Sequence, residues 1–145
     1  MDVTFDDIIN RIDAFDVDSA AISAIEKSSE KMKYMQQDQL LHGQRANGRN
    51  IGTYKNERYA VKKYIQNPLA GFRNMDWILT GELKKQVFVL VSNSEIEINS
   101  LDPKTVFLIK RLGDPFGLTS TNEEKLINGV LSDNFYEIVN EKLQL

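Results

Sequence analysis

A chain of 145 residues, 41% of them hydrophobic, is long enough for one domain and can bury roughly two-thirds of the surface its unfolded form exposes. It has no cysteine, which excludes a disulfide framework and a thiolate metal site, and no apolar run near the roughly 20 residues of a membrane span. The net charge of −3 conceals segregation: between 43 and 73 lie Arg45, Arg49, Lys55, Arg58, Lys62, Lys63 and Arg73 against Glu57 alone, while Asp2, Asp6, Asp7, Asp13, Asp16 and Asp18 crowd the N-terminus. That arrangement suits contact between copies of the chain, or with an anionic partner.

The acidic N-terminus lacks the basic flank of a signal peptide, and Thr4-Phe5-Asp6-Asp7 is a capping arrangement. With Phe5, Ile8, Ile9 and Ile12 at helical spacing, it predicts a short amphipathic helix over 4–15. Asp16-Val17-Asp18 interrupts this helix, and Asp18 is expected to cap a second one running to about residue 42, with Ile22, Ile25, Met32 and Leu40 on a sparse apolar stripe. Such a helix would be on the order of 36 Å long and lie across a sheet. Its many polar positions imply a wet girth or a polar neighbour. Three glycines and an Asn-Gly pair make 43–54 a loop or irregular hairpin. As a contact arm it would be extended or mobile in an isolated subunit. Residues 55–66 read as a short helix stopped at Asn67-Pro68, and Trp77-Ile78-Leu79 as a short strand or an approach to the next element.

The unbroken apolar run Val87-Phe88-Val89-Leu90-Val91 favours a strand covered on both faces, whereas Ile96 and Ile98 alternate with Glu95, Glu97 and Asn99 in the pattern of a half-buried one. Ser92-Asn93-Ser94 joins them as a turn. One strand of this β-hairpin thus has more apolar surface than its partner can match, and either the chain's own helices or a second copy must cover it. After Asp102-Pro103 a helix is expected with Val106, Phe107, Ile109 and Leu112 mostly buried and Gly113 as its stop. Asp114-Pro115-Phe116-Gly117-Leu118 is a tight connection, and Thr121-Asn122-Glu123-Glu124 a capping box opening a last helix with Ile127, Leu131, Phe135 and Ile138 facing the core. The order predicts a single α+β domain over 1–145: a small twisted antiparallel sheet against a long N-terminal helix and a C-terminal helix, with 43–73 as a basic, glycine-containing loop or arm insertion.

No residue pattern calls for a metal or cofactor. His42, the only histidine, precedes Gly43 at a predicted helix end, where an imidazole bonds the last free carbonyls. Asp102-Pro103-Lys104 has the acid-x-lysine spacing of some metal-dependent nucleases, with Glu95 and Glu97 nearby in sequence, but Pro103 would break the strand that presents such residues, and capping by Asp102 outweighs that reading. The glycines at 43–54 match no phosphate-binding loop. Tyr54, Tyr59 and Tyr64 among the cations are the composition of a single-strand nucleic-acid surface. A cationic segment that meets acidic surface on a neighbouring protein explains the same residues, and the acidic total charge favours it.

Thr80-Gly81-Glu82-Leu83 leading into an apolar strand, a polar turn, a second strand, a short helix stopped by glycine, Pro115-Phe116-Gly117-Leu118 and a capped C-terminal helix resembles the tail-completion, or virion-morphogenesis, family of tailed bacteriophages. The resemblance covers roughly the last 65 residues, and the insert with Ile51-Gly52-Thr53-Tyr54 is similar to versions in phages of gut Bacteroidales, including crAss-like ones. Where that family often has an aromatic followed by alanine, this chain has Val106-Phe107-Leu108-Ile109. The resemblance implies a non-enzymatic structural protein of the virion, made in the host cytoplasm. It would form a homo-oligomeric ring at the neck or tail end and touch other neck, portal or tail proteins. The expected interface residues are Val87, Phe88, Val89, Leu90 and Val91, on whichever face the chain's helices leave open, with Arg45, Arg49, Arg58, Lys62 and Lys63 meeting acidic surface nearby. The alternative is a nucleic-acid-binding accessory protein using the basic segment 45–73.

Overall fold

The computed structural model describes residues 3–93 and 95–144 and is α+β, as the hydrophobic periodicities predict. Helices α1 (Phe5–Asp13), α2 (Val17–Lys27) and α3 (Ser29–Leu41) precede α4 (Glu57–Gln66) and a one-turn α5 (Glu82–Lys85). The hairpin β1 (Val87–Val91) and β2 (Ile96–Ser100) follows, then α6 (Thr105–Leu112), α7 (Ser120–Leu126) and α8 (Ser132–Leu143). Antiparallel pairing sets Val87 opposite Ser100, Val89 opposite Ile98 and Val91 opposite Ile96.

Thr4 caps α1 through the expected box, its hydroxyl accepting from the Asp7 amide while Asp7 Oδ2 accepts from the Thr4 amide at 3.0 Å. Those bonds from Thr4 hold the Asp7 carboxyl below the usual carboxylate range. Asp16, not Asp18, caps α2, accepting from the Ser19 amide. The single long helix expected over 18–42 is divided at Ser28, whose buried hydroxyl donates to the Ala24 carbonyl at 2.7 Å and accepts from Asn134 of α8. A serine bonded back one turn loosens the helical ladder there.

The polar girth of α3 has a specific partner. Gln36 and Gln39, both buried, bind the connection after α6 through its backbone: Gln36 donates to the Pro115 carbonyl and accepts from the Gly117 amide, and Gln39 donates to the Gly117 carbonyl and accepts from the Thr119 amide. Two glutamines one turn apart thus replace, for a loop, the bonds a strand neighbour would supply. On its apolar side α3 contributes Leu40 to a cluster with Ile51, Trp77, Leu83 and Val87, and Met32 and Met35 to another with Leu126. His42 ends α3 as expected, Nδ1 donating to the Asp38 carbonyl at 2.9 Å.

Residues 43–54 are laid on the body and are not an extended arm. Gln44 bridges to Asn50 and Thr53 to Asn74, Ile51 enters the core, and Trp77 Nε1 donates to the Gln44 carbonyl. Gly43 turns the chain at φ +67°, with the Met75 carbonyl oxygen where a side chain would begin, so only glycine fits. Trp77 reaches the core from irregular backbone, not from a strand.

Three further expectations are corrected. Val106 and Phe107 are 77% and 64% exposed, because α6 packs through Leu108 and Leu112 instead. Thr119, two residues earlier than expected, caps α7 by accepting from the Asn122 amide. The one long C-terminal helix is kinked within Ile127–Leu131, a π-like turn in which Gly129 leaves helical geometry at φ −117°, ψ −105°. A π turn inserts one residue, so the stripe of Ile138, Phe135 and Leu131 continues into Leu126 and leaves Ile127 in solvent.

Candidate assembly interface

Strand alternation decides which side of the hairpin is open. Val87 is buried with Leu40 and Trp77, Val89 packs against the Met32, Met35 and Leu126 cluster, and Val91 shares their side by alternation and is half-buried. Phe88 and Leu90 point the other way, and Leu90, opposite Glu97, is 58% exposed. Helices thus cover the side of β1 carrying Val87, Val89 and Val91, and on the other side Phe88 is half-buried, so of the five expected contact residues Leu90 is the exposed one.

The cations separate in the same manner. Arg49, Arg58 and Lys62 are exposed, and Arg45 is half-buried beside Gly113, at the C-terminal cap of α6 where the helix dipole attracts a positive charge. Lys63 is not a surface cation. Its side chain is 7% exposed and its ammonium lies 2.7 Å from a carboxylate oxygen of Asp76, itself 2% exposed. Lys63 also donates to the Ile78 carbonyl, while Asp76 accepts from Asn67 and from the Ile78 amide. Helical periodicity puts Lys63 on the inner face of α4, and an acid from another segment must meet it there. Asp102, weighed above as a cap or a catalytic acid, is buried and accepts from the Lys104 amide at 3.2 Å. Among the described residues no group of three metal-binding side chains forms, and no helix is long and apolar enough to cross a membrane.

Tyr54, beside this network, is pushed up to about 12 by burial first and then by the Asp76 negative charge. The ordinary phenol value is 10.0, so between about pH 10 and 12 the folded state keeps a proton that the unfolded state has released. Stability therefore falls as pH rises through that window. A spectrophotometric titration should show one of the five tyrosines ionising late, and Tyr54→Phe should remove that step. Five tyrosines all titrating near 10 would contradict this placement.

Under the hairpin β1 and Ile98 of β2 pack against the core, whereas Ile96 at the outer end of β2 is left exposed. Beside β2 an open groove of about 740 Å³ is walled by Ile96 and Ile98 on one side and Leu118, Leu126, Ile127 and Leu131 on the other. It continues into a second depression of about 330 Å³ that shares Ile25, Ile127 and Leu131. The charged residues that line it are Glu97, Asp114 and Glu123, all acidic. Sequence reading missed this groove, because the π turn that exposes Ile127 has no signal beyond Gly129. Comparison with protein-family models, curated proteins and solved structures finds no match for the chain.

Proposed function

We propose that this chain is a structural subunit of a tailed-phage virion, acting by assembly and not by catalysis, in a homo-oligomeric ring at the neck or tail end that touches other neck, portal or tail proteins. The observation that carries the assembly reading is the apolar side-chain surface left in solvent on separate elements: Phe5 and Ile12 on α1, Ile65 on α4, Leu90 on β1, Phe107 on α6. Scattered single residues are ordinary, but whole apolar faces rimmed by charge mark contact surfaces. The resemblance carried by Thr80 to Leu83, the hairpin and Pro115-Phe116-Gly117-Leu118 supports the virion assignment.

Leu90 tests this without threatening the fold, since it is mostly exposed. Leu90→Asp should leave the circular dichroism unchanged and reduce the assembled species to single subunits in sedimentation, whereas Val89→Asp should unfold the subunit itself. Arg45→Glu with Arg49→Glu should weaken assembly only modestly, exposed pairs being worth about 0–1 kcal/mol each. DNA should bind no more tightly than roughly 10⁻⁴ to 10⁻⁶ M near physiological salt. A wild type that stays monomeric and binds DNA below micromolar, with the binding lost on arginine reversal, would replace this reading with the nucleic-acid one.

A further inference from the structure

The acidic groove beside β2 and the outer face of α4 are complementary surfaces of one chain. On α4, Val61, Tyr64 and Ile65 stand at helical i, i+3 and i+4 positions, all exposed, Ile65 at 76%. Tyr64 extends this patch by packing edge-on against Phe72, over which Arg73 lies. Arg58 and Lys62 flank the patch, both exposed and, among the described residues, neither in a salt bridge. An amphipathic helix presenting three such anchors is the form that fills an apolar groove. Asp114 and Glu123 at the rim likewise have no salt-bridge partner among the described residues.

We infer that the groove receives α4 of a second copy of this chain, head to tail, with Ile65 against Ile127 and Leu131 and with Arg58 and Lys62 meeting Asp114 and Glu123. The inference rests on the ring reading in taking the occupant to be another copy. Charge selects α4 over α1, whose apolar face of Phe5, Ile8, Ile9 and Ile12 is flanked by Asp6, Asp7 and Asp13 and would be repelled by the rim. Position selects it over α6. Val106 and Phe107 also lie among cations, but Gly113 joins α6 directly to the groove wall at Asp114, so that face and the groove adjoin on one subunit. By contrast α4 is anchored at the far end of α3, where Asn67 donates to the Leu41 carbonyl, while Met32 of the same helix lines the groove. Nine helical steps separate those two α3 residues, about 14 Å along the axis. Two different patches of one subunit make a heterologous contact, which closes into a ring when the rotation between copies allows it.

The absence of native cysteine allows a direct test. Ile65→Cys and Ile127→Cys proteins, distinguished by tag size and mixed under mild oxidation, should form the mixed disulfide at least tenfold faster than Ile12→Cys or Phe107→Cys proteins mixed with Ile127→Cys. Both substituted sites are exposed, so neither change threatens the fold. Adding Glu123→Lys to the Ile127→Cys partner should slow trapping severalfold, and Lys62→Glu on the other partner should restore it. Faster trapping by either control pair overturns α4 as the occupant. A wild type that sediments as an oligomer while Ile65→Glu assembles equally well also overturns the groove contact and leaves the ring reading standing. A wild type that never assembles, with no disulfide trapped, overturns both.

Discussion

Asp76→Ala is expected to cost the fold about 3–5 kcal/mol, the usual loss when one partner of a buried ion pair is removed and the other charge is left without compensation. The Lys63 ammonium loses its counter-charge and keeps only the Ile78 carbonyl, the Ile78 amide loses its acceptor, and Asn67 loses one of two, keeping the Leu41 carbonyl. With domain stabilities of about 5–15 kcal/mol, that leaves a barely folded protein. Lys63→Met should fall at the lower end of the same range, about 3 kcal/mol, because Asp76 keeps its bonds from Asn67 and Ile78. Urea unfolding near neutral pH measures both. The ordering matters more than either value, and an Asp76→Ala protein as stable as the wild type would mean that the pair does not hold α4 to the body.

Gln39→Leu is the second large effect, expected at about 2–4 kcal/mol, since an apolar side chain of similar size leaves the buried Thr119 amide and the part-buried Gly117 carbonyl without their partner. Asn122 Nδ2, 2.7 Å from Gln39 Oε1, loses its acceptor too. Hydrogen exchange should localise the damage, with the Thr119 amide exposed in the variant while the amides of α2 remain protected. Because Leu118 and the residues around it form one wall of the acidic groove, the same variant should assemble poorly at concentrations where its helices are intact. Equal exchange at Thr119 in variant and wild type would show that the loop holds its shape without the glutamine. Adding Gln36→Leu should then cost less than its effect alone, since both side chains bind Gly117.

Local signals account for much of the fold. The Thr4 box, the hairpin with its register, the stop at Gly113 and the helix before Asn67-Pro68 are each determined by a few neighbouring residues, through caps, alternation and turn chemistry. The open face of the hairpin was legible only as a pair of alternatives: alternation separates Phe88 and Leu90 from Val87, Val89 and Val91 but does not say which set the helices cover. That choice needed α3 in place, with Leu40, Met32 and Met35 against one side. Nor did composition distinguish Lys63 from Lys62, adjacent residues of one type on one helix. Lys63 is withdrawn from the surface because Asp76 folds back beneath α4, whereas Lys62 stays in solvent. The glycine-rich 43–54 segment looked pliable because glycine adds backbone freedom, yet Ile51, Trp77 and the Gln44 carbonyl fasten it to the core. The groove is wholly a tertiary product. A single π turn at Ile127–Leu131 shifts the helical register by one residue, turns Leu126 inward and Ile127 outward, and sets an apolar wall opposite β2, which depends on packing between elements distant in the chain.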